Sequence, residues 1–199
     1  MANIDAPFGL RPSRYLDGTP WNGATVRCRI AAGYAVALFV GDPVLWTTAL
    51  TGKDPRYPTI MVSAGTSGVI VRGVITSFEP NPDNLSKIYS PTATGGWANV
   101  CIATPNLIFQ IRDDGDGTPI AVWAGQNGLI AAGTGNTITG LSGYELDGST
   151  TPTITQAHTL HIVGLADIED NELADHAIWD VIINTSQNAT GTYVGITAT

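Results

Sequence analysis

Glycine and proline set the first limit on this chain. Twenty-three glycines and twelve prolines punctuate its 199 residues. Proline removes a backbone donor and fixes φ, and glycine loosens the chain, so neither lets a helix run far. No stretch longer than about ten residues keeps a 3.6-residue apolar period. Short strands between turns are what such a chain can build. They are expected over 25–30, 35–40, 44–48, 59–63, 68–78, 85–89, 98–103, 106–112, 153–156, 158–168, 177–184 and 192–196, with weaker ones at 121–123 and 140–146. In 106–112, Leu107, Phe109 and Ile111 share one face. A short helix is expected over 167–176, where acids gather near the start, and a helical turn near 120–124. The fold class that follows is all-β, a β-sandwich or jelly-roll-like barrel with an extended N-terminal arm and long loops.

The arm is residues 1–24. Pro7, Pro12 and Pro20 keep it out of helix, and Phe8, Leu10, Tyr15, Leu16 and Trp21 give it more apolar surface than it can bury alone. Arg11 and Arg14 stand among them. Such a segment must pack either on its own domain or on a neighbouring chain, and aromatic and Arg anchors are what docking surfaces use. Residues 25–199 then form a β-rich domain, with 113–156, rich in Gly, Asn, Thr and Asp, as a possible long loop insertion.

Charge divides the chain. All nine basic residues lie at or before Arg112, against six acids there; the 87 residues that follow carry eleven acids and no Lys or Arg. The front is therefore +3 and the back −11, which implies one docking side and one solvated side. Phosphates would be repelled by the back half, so no nucleic-acid partner is expected. Only 13% of residues are charged, about half the usual share of roughly 25%. The most apolar run, 35–40, is too short to span a membrane, and no secretory signal is visible. Cys28 and Cys101 form no CxxC and read as buried free thiols, with a disulfide as the alternative.

Candidate chemistry is thin. Asp113-Asp114-Gly115-Asp116-Gly117-Thr118 resembles part of a calcium loop, but the late bidentate Glu is missing and Pro119 follows. His158 and His161, three apart in a strand, point to opposite faces, and no Cys or His cluster has zinc spacing. Gly140-Leu141-Ser142-Gly143 falls short of a nucleophile elbow. Gly133-Thr134-Gly135-Asn136 lacks the lysine of a phosphate loop. Asn188-Ala189-Thr190 matches a glycosylation acceptor and marks an exposed turn. No catalytic residue, metal or cofactor is expected, and the chain does not read as an enzyme.

The arm runs Ala2-Asn3-Ile4-Asp5-Ala6-Pro7-Phe8-Gly9-Leu10-Arg11-Pro12, then Arg14-Tyr15-Leu16-Asp17-Gly18-Thr19-Pro20-Trp21-Asn22-Gly23. This resembles the opening of a family of tailed-bacteriophage virion structural proteins, similar to capsid cement or decoration proteins on HK97-type shells. Leu38-Phe39-Val40-Gly41-Asp42-Pro43-Val44, Gly73-Val74-Ile75 and the closing run 164–184 are similar to later pieces of that family. The resemblance implies a non-enzymatic protein, made in the bacterial host cytoplasm, that sits on the outer surface of the virion capsid. It would bind the major capsid protein and bridge neighbouring subunits, itself a dimer or trimer, with no membrane contact. Pro7, Phe8, Leu10, Arg11, Pro12, Arg14, Tyr15 and Trp21 are the expected docking residues. The alternative is another virion part (head fibre, tail or adhesion module), with Trp97 and Trp123 as aromatics for a glycan.

Overall fold

The structure, a computed structural model, describes residues 3–47, 56–82 and 84–186. Five strands close a barrel: β2 (Val26–Ile30), β3 (Pro43–Trp46), β4 (Thr59–Val62), β5 (Gly73–Phe78) and β6 (Gly96–Ile102), in the order β2-β4-β3-β5-β6. All neighbours are antiparallel except β2 and β4. Period-2 alternation decides what goes inside. Cys28 and Ile30 point inward from β2 with Val44, Ile60, Ile75, Ala98 and Val100, while Arg27 and Arg29 point out.

A five-stranded antiparallel sheet packs on the barrel wall. It joins β1 (Arg11–Tyr15), β7 (Leu107–Arg112), β12 (Ile178–Ile183), β11 (Leu160–Leu165) and β8 (Asn127–Gly128), in that order. Leu107, Phe109 and Ile111 face a common core with Leu160, Ile162, Trp179, Val181 and Ile183, and Val74 and Cys101 join it from the barrel. Each such fully buried large side chain contributes on the order of 2–3 kcal/mol. Strands β9 (Ile130–Ala131) and β10 (Glu145–Leu146) form a small separate pair. The chain is thus all-β, as expected, and its barrel closes with five strands.

Several expected strands are absent as ladders. Residues 35–40 form only the isolated bridges Leu38–Ser90 and Val40–Leu141; Leu38 is fully buried and exchanges two backbone hydrogen bonds with Ser90, but no ladder extends from them. Residues 85–89 are turns and bends, 153–156 pair only at the isolated bridge Asn127–Thr153, and 68–78 shortens to β5. The helical turn near 120–124 is a 3-10 turn at Ala121–Trp123.

The helix expected over 167–176 is a loop instead. Asp170 and His176 both adopt φ 61, a left-handed conformation that ends any helix. The side chain of Asn171 replaces helical hydrogen bonds: its amide donates to the carbonyls of Ala166 and Ile178, and its oxygen accepts from Ile178 N–H.

Residues 113–156 are no appendage. They supply Trp123, Ile130, Tyr144 and Leu146 to the main core. Cys28 and Cys101 are free and buried, and burial pushes their thiols up to about 11 and about 12, which makes both inert. Residues 192–196 and Asn188–Thr190 lie outside the described residues. Among the described residues, no helix is long and apolar enough to cross a membrane.

Candidate interaction surface

The N-terminal segment is built into the molecule. β1 pairs antiparallel with β7, Arg11 opposite Gln110 and Tyr15 opposite Leu107, with a bulge at Ser13. Pro12 sits where its missing N–H does no harm, on the outermost strand. Residues 18–21 fold back over the same edge: Trp21 N–H donates to the Ser13 carbonyl and Tyr15 N–H to the Thr19 carbonyl.

Ahead of β1, the chain is seated on the barrel by two glycines. Gly9 (φ 72) and Gly41 (φ 98) meet backbone to backbone. A Cβ on Gly41 would strike the Phe8 carbonyl, and one on Gly9 would strike the Gly41 carbonyl. Leu10 N–H donates to that Gly41 carbonyl at 2.9 Å, and Gly41 N–H donates to the Ile75 carbonyl at 2.8 Å. Three sequence pieces far apart in the chain, around Gly9, Gly41 and Ile75, therefore close on one point.

Each expected docking residue can now be placed. Leu10 is 1% exposed and belongs to the main core, so it is not available to a partner; its place next to Gly9 commits it inward. Arg14 Nη1 reaches across β7 to Asp180 Oδ2 at 2.6 Å. Asp180 is buried, and its Oδ1 has no hydrogen-bond partner. Tyr15 and Trp21 are half-buried against the core. Arg11 is exposed, donates to Gln110 Oε1 at 2.7 Å, and lies over the Phe8 ring at 4.9 Å. Pro7, Phe8 and Pro12 are half-buried.

Five of these residues, Phe8, Leu10, Arg11, Pro12 and Trp21, line one open groove of about 400 Å³, completed by Val40, Gly41, Ile75, Thr76 and Leu141. Pro7, Arg14 and Tyr15 are not part of it. The barrel wall of the groove was not legible in the sequence. The Gly9–Gly41 contact and the Leu10–Gly41 hydrogen bond bring it beside the arm, and no local pattern announces them.

The two tryptophans expected as sugar platforms differ. Trp123 is buried and packs on Trp179 at 5.6 Å. Trp97 lies on the outside of the barrel under the Arg27 guanidinium at 3.9 Å, with Tyr57 edge-on at 5.0 Å. It borders a cleft of about 630 Å³ with Arg29, Glu79, Asn81 and Thr94. Glu79 holds Arg27 through two oxygens, which raises the guanidinium further and lowers the Glu79 carboxyl.

The acidic turn spends carboxylate oxygens on bonds within the chain. Asp113 Oδ1 accepts from Gly115 and His176 N–H, and Asp113 Oδ2 from Trp179 Nε1. Asp114 Oδ1 accepts from Asp116 and Gly148 N–H. Of these oxygens, all but Asp113 Oδ2 serve the backbone. His158 and His161 both engage Asn127, through its carbonyl and its side-chain oxygen. Ser142 is 1% exposed, and its Oγ accepts from Tyr144 N–H.

No protein-family model, curated protein or solved structure matches the chain.

Proposed function

We propose that this protein is a structural component of a tailed-phage virion, a cement that docks on the outer face of the major capsid protein shell and bridges neighbouring subunits. One observation carries the reading: Phe8, Arg11, Pro12 and Trp21, which the family resemblance marks for docking, gather on one groove. A groove with aromatic walls and an exposed Arg at its rim is the surface that a partner's apolar side chain or short segment fits. Its walls are fixed by the Gly9–Gly41 contact, so little ordering entropy opposes binding. The exposed acids Asp116, Asp167, Glu169, Asp170, Glu172 and Asp175 would then face solvent and discourage non-specific contact between crowded copies.

The test is co-sedimentation of the purified protein with expanded capsid shells, together with Arg11→Glu and Trp21→Ala variants. Both variants are expected to bind at least about tenfold more weakly, the charge reversal with a salt-dependent on-rate. Wild-type occupancy by both variants would overturn the docking site. A copy number far below that of the major capsid protein in purified virions would overturn the cement role.

A second reading has an observation of its own. The Trp97 cleft pairs an aromatic ring with amide and hydroxyl groups, which is how an adhesion module would hold a glycan. Retention on immobilised host glycans, lost on Trp97→Ala, would favour that reading over the cement.

A further inference from the structure

Asp5, Glu145 and His176 are remote in sequence and meet at one place. One ligating atom of each lies within 4.8 Å of the others. The segment before β1 brings Asp5, β10 brings Glu145, and the loop between β11 and β12 brings His176.

Other bonds hold this arrangement. The Asn3 amide donates to the carbonyls of Glu172 and Asp175 at 3.0 Å, and Asn3 Oδ1 accepts from Glu172 N–H. Arg112 donates to the carbonyls of Ile4, Ala6 and His176. The backbone is therefore pinned on both sides of Asp5, while the Asp5 side chain is 69% exposed. His176 N–H is held by Asp113 at 2.9 Å. The imidazole lies on Gly115, where a Cβ would stand 2.8 Å from Nε2. Gly115, a turn residue by sequence, is thus the floor beneath a histidine ring.

Two atoms of the cluster are orphaned. His176 Nδ1 and Glu145 Oε1 are buried and have no hydrogen-bond partner. Nδ1 stands 4.0 Å from Asp5 Oδ1, too far for a hydrogen bond. Buried polar atoms are almost always satisfied, and an ion is one of the few reasons for an exception. Arg112 is the nearby cation, but its Nε and Nη1 donors serve backbone carbonyls.

We propose that Asp5, Glu145 and His176 form a site for a divalent first-row transition cation, with Zn²⁺ as the reference ion and the remaining positions open to solvent. One imidazole with two carboxylates suits Zn²⁺ or Mn²⁺, whereas Ca²⁺ takes a fuller set of oxygens. Ligand bonds of about 2.0–2.2 Å require the atoms to close in by roughly an ångström, a movement within reach of the exposed Asp5 side chain. The ion would clip the N-terminal segment to β10 and to the loop before β12.

The experiment is calorimetric titration of chelator-treated protein with Zn²⁺, Mn²⁺ and Ca²⁺, in the wild type and in Asp5→Asn, Glu145→Gln and His176→Asn. Asparagine tolerates the left-handed backbone at 176, and position 5 is exposed, so at least these two variants should fold; circular dichroism checks each. One Zn²⁺ per chain is expected, bound at least about tenfold more weakly in every folded variant, since even outer-shell losses weaken metal sites tenfold or more. Co²⁺ added in place of Zn²⁺ should give a d–d absorption band in the wild type that Asp5→Asn shifts or abolishes. Absence of binding, affinity unchanged in Asp5→Asn and His176→Asn, or a preference for Ca²⁺ over Zn²⁺ would overturn the assignment.

Discussion

Asp42 shows how one residue can be both a fastener and a burden. Its Oδ2 accepts from Phe39 N–H at 2.8 Å and shapes the turn that presents Gly41 to Gly9. The carboxyl is 3% exposed; burial pushes it up to about 6 from 3.8, against the pull of Ser142 and the Phe39 N–H. A raised acid binds its proton more tightly in the folded state. Stability therefore falls as pH rises from about 4 to about 6 and levels off above that. Asp42→Asn keeps an acceptor for Phe39 and removes the charge. In urea titrations the variant should gain on the wild type across that window, reaching about 3 kcal/mol at pH 7. A wild-type-minus-variant difference that does not change with pH would refute the assignment of this titration to Asp42.

At the level of elements, β1 is the instructive strand. Its apolar side chains read as a segment without a core, and the structure gives it one through β7. The ion pair from Arg14 to Asp180 fastens it across two neighbouring strands. Asp180 is nearly inaccessible while the Arg14 side chain is 41% exposed, so the anion depends on the cation more than the reverse. Removing one partner of a buried pair leaves a charge uncompensated. Arg14→Ala should destabilise the fold by roughly 2–3 kcal/mol, discounted for the exposure of Arg14. Asp180→Asn in the same background should recover part of that loss, as read from chemical denaturation; no recovery would mean that Arg14 acts through packing alone.

For the molecule as a whole, the arm and the domain share one core and one sheet. Deleting residues 1–23 removes Leu10 from the core, β1 from the sheet and the cation from Asp180. A core Leu alone is worth about 2–5 kcal/mol, and total stability of a domain is about 5–15 kcal/mol. The truncated chain should lose its cooperative thermal transition in calorimetry; a transition within a few degrees of wild type would show that the segment is dispensable. Arg11→Glu is therefore the sounder probe of docking, because Arg11 is exposed and its replacement leaves the Gly9–Gly41 seat intact, whereas Trp21 packs on the core and Trp21→Ala needs a folding check beside it. The charge division also changes meaning at this scale. β1 and β7 come from the basic front, and β8, β11 and β12 from the acidic back, yet they share one sheet.

Local chemistry made the all-β class readable in advance, because Gly and Pro spacing and period-2 alternation act over a few residues. It marked most of the barrel strands and the shared face of Leu107, Phe109 and Ile111. It failed where a buried run pairs at single bridges rather than in a ladder, as at Leu38, and where a side chain replaces backbone partners, as Asn171 does in place of a helix. It also could not supply contacts across long separations. Gly9 on Gly41, Arg14 on Asp180, and Asp5 with Glu145 and His176 exist only once the chain has closed, since nothing within a few residues of any of them encodes the partner. The groove and the candidate cation site are made of such contacts, which is why the fold class was legible from residue order and these sites were not.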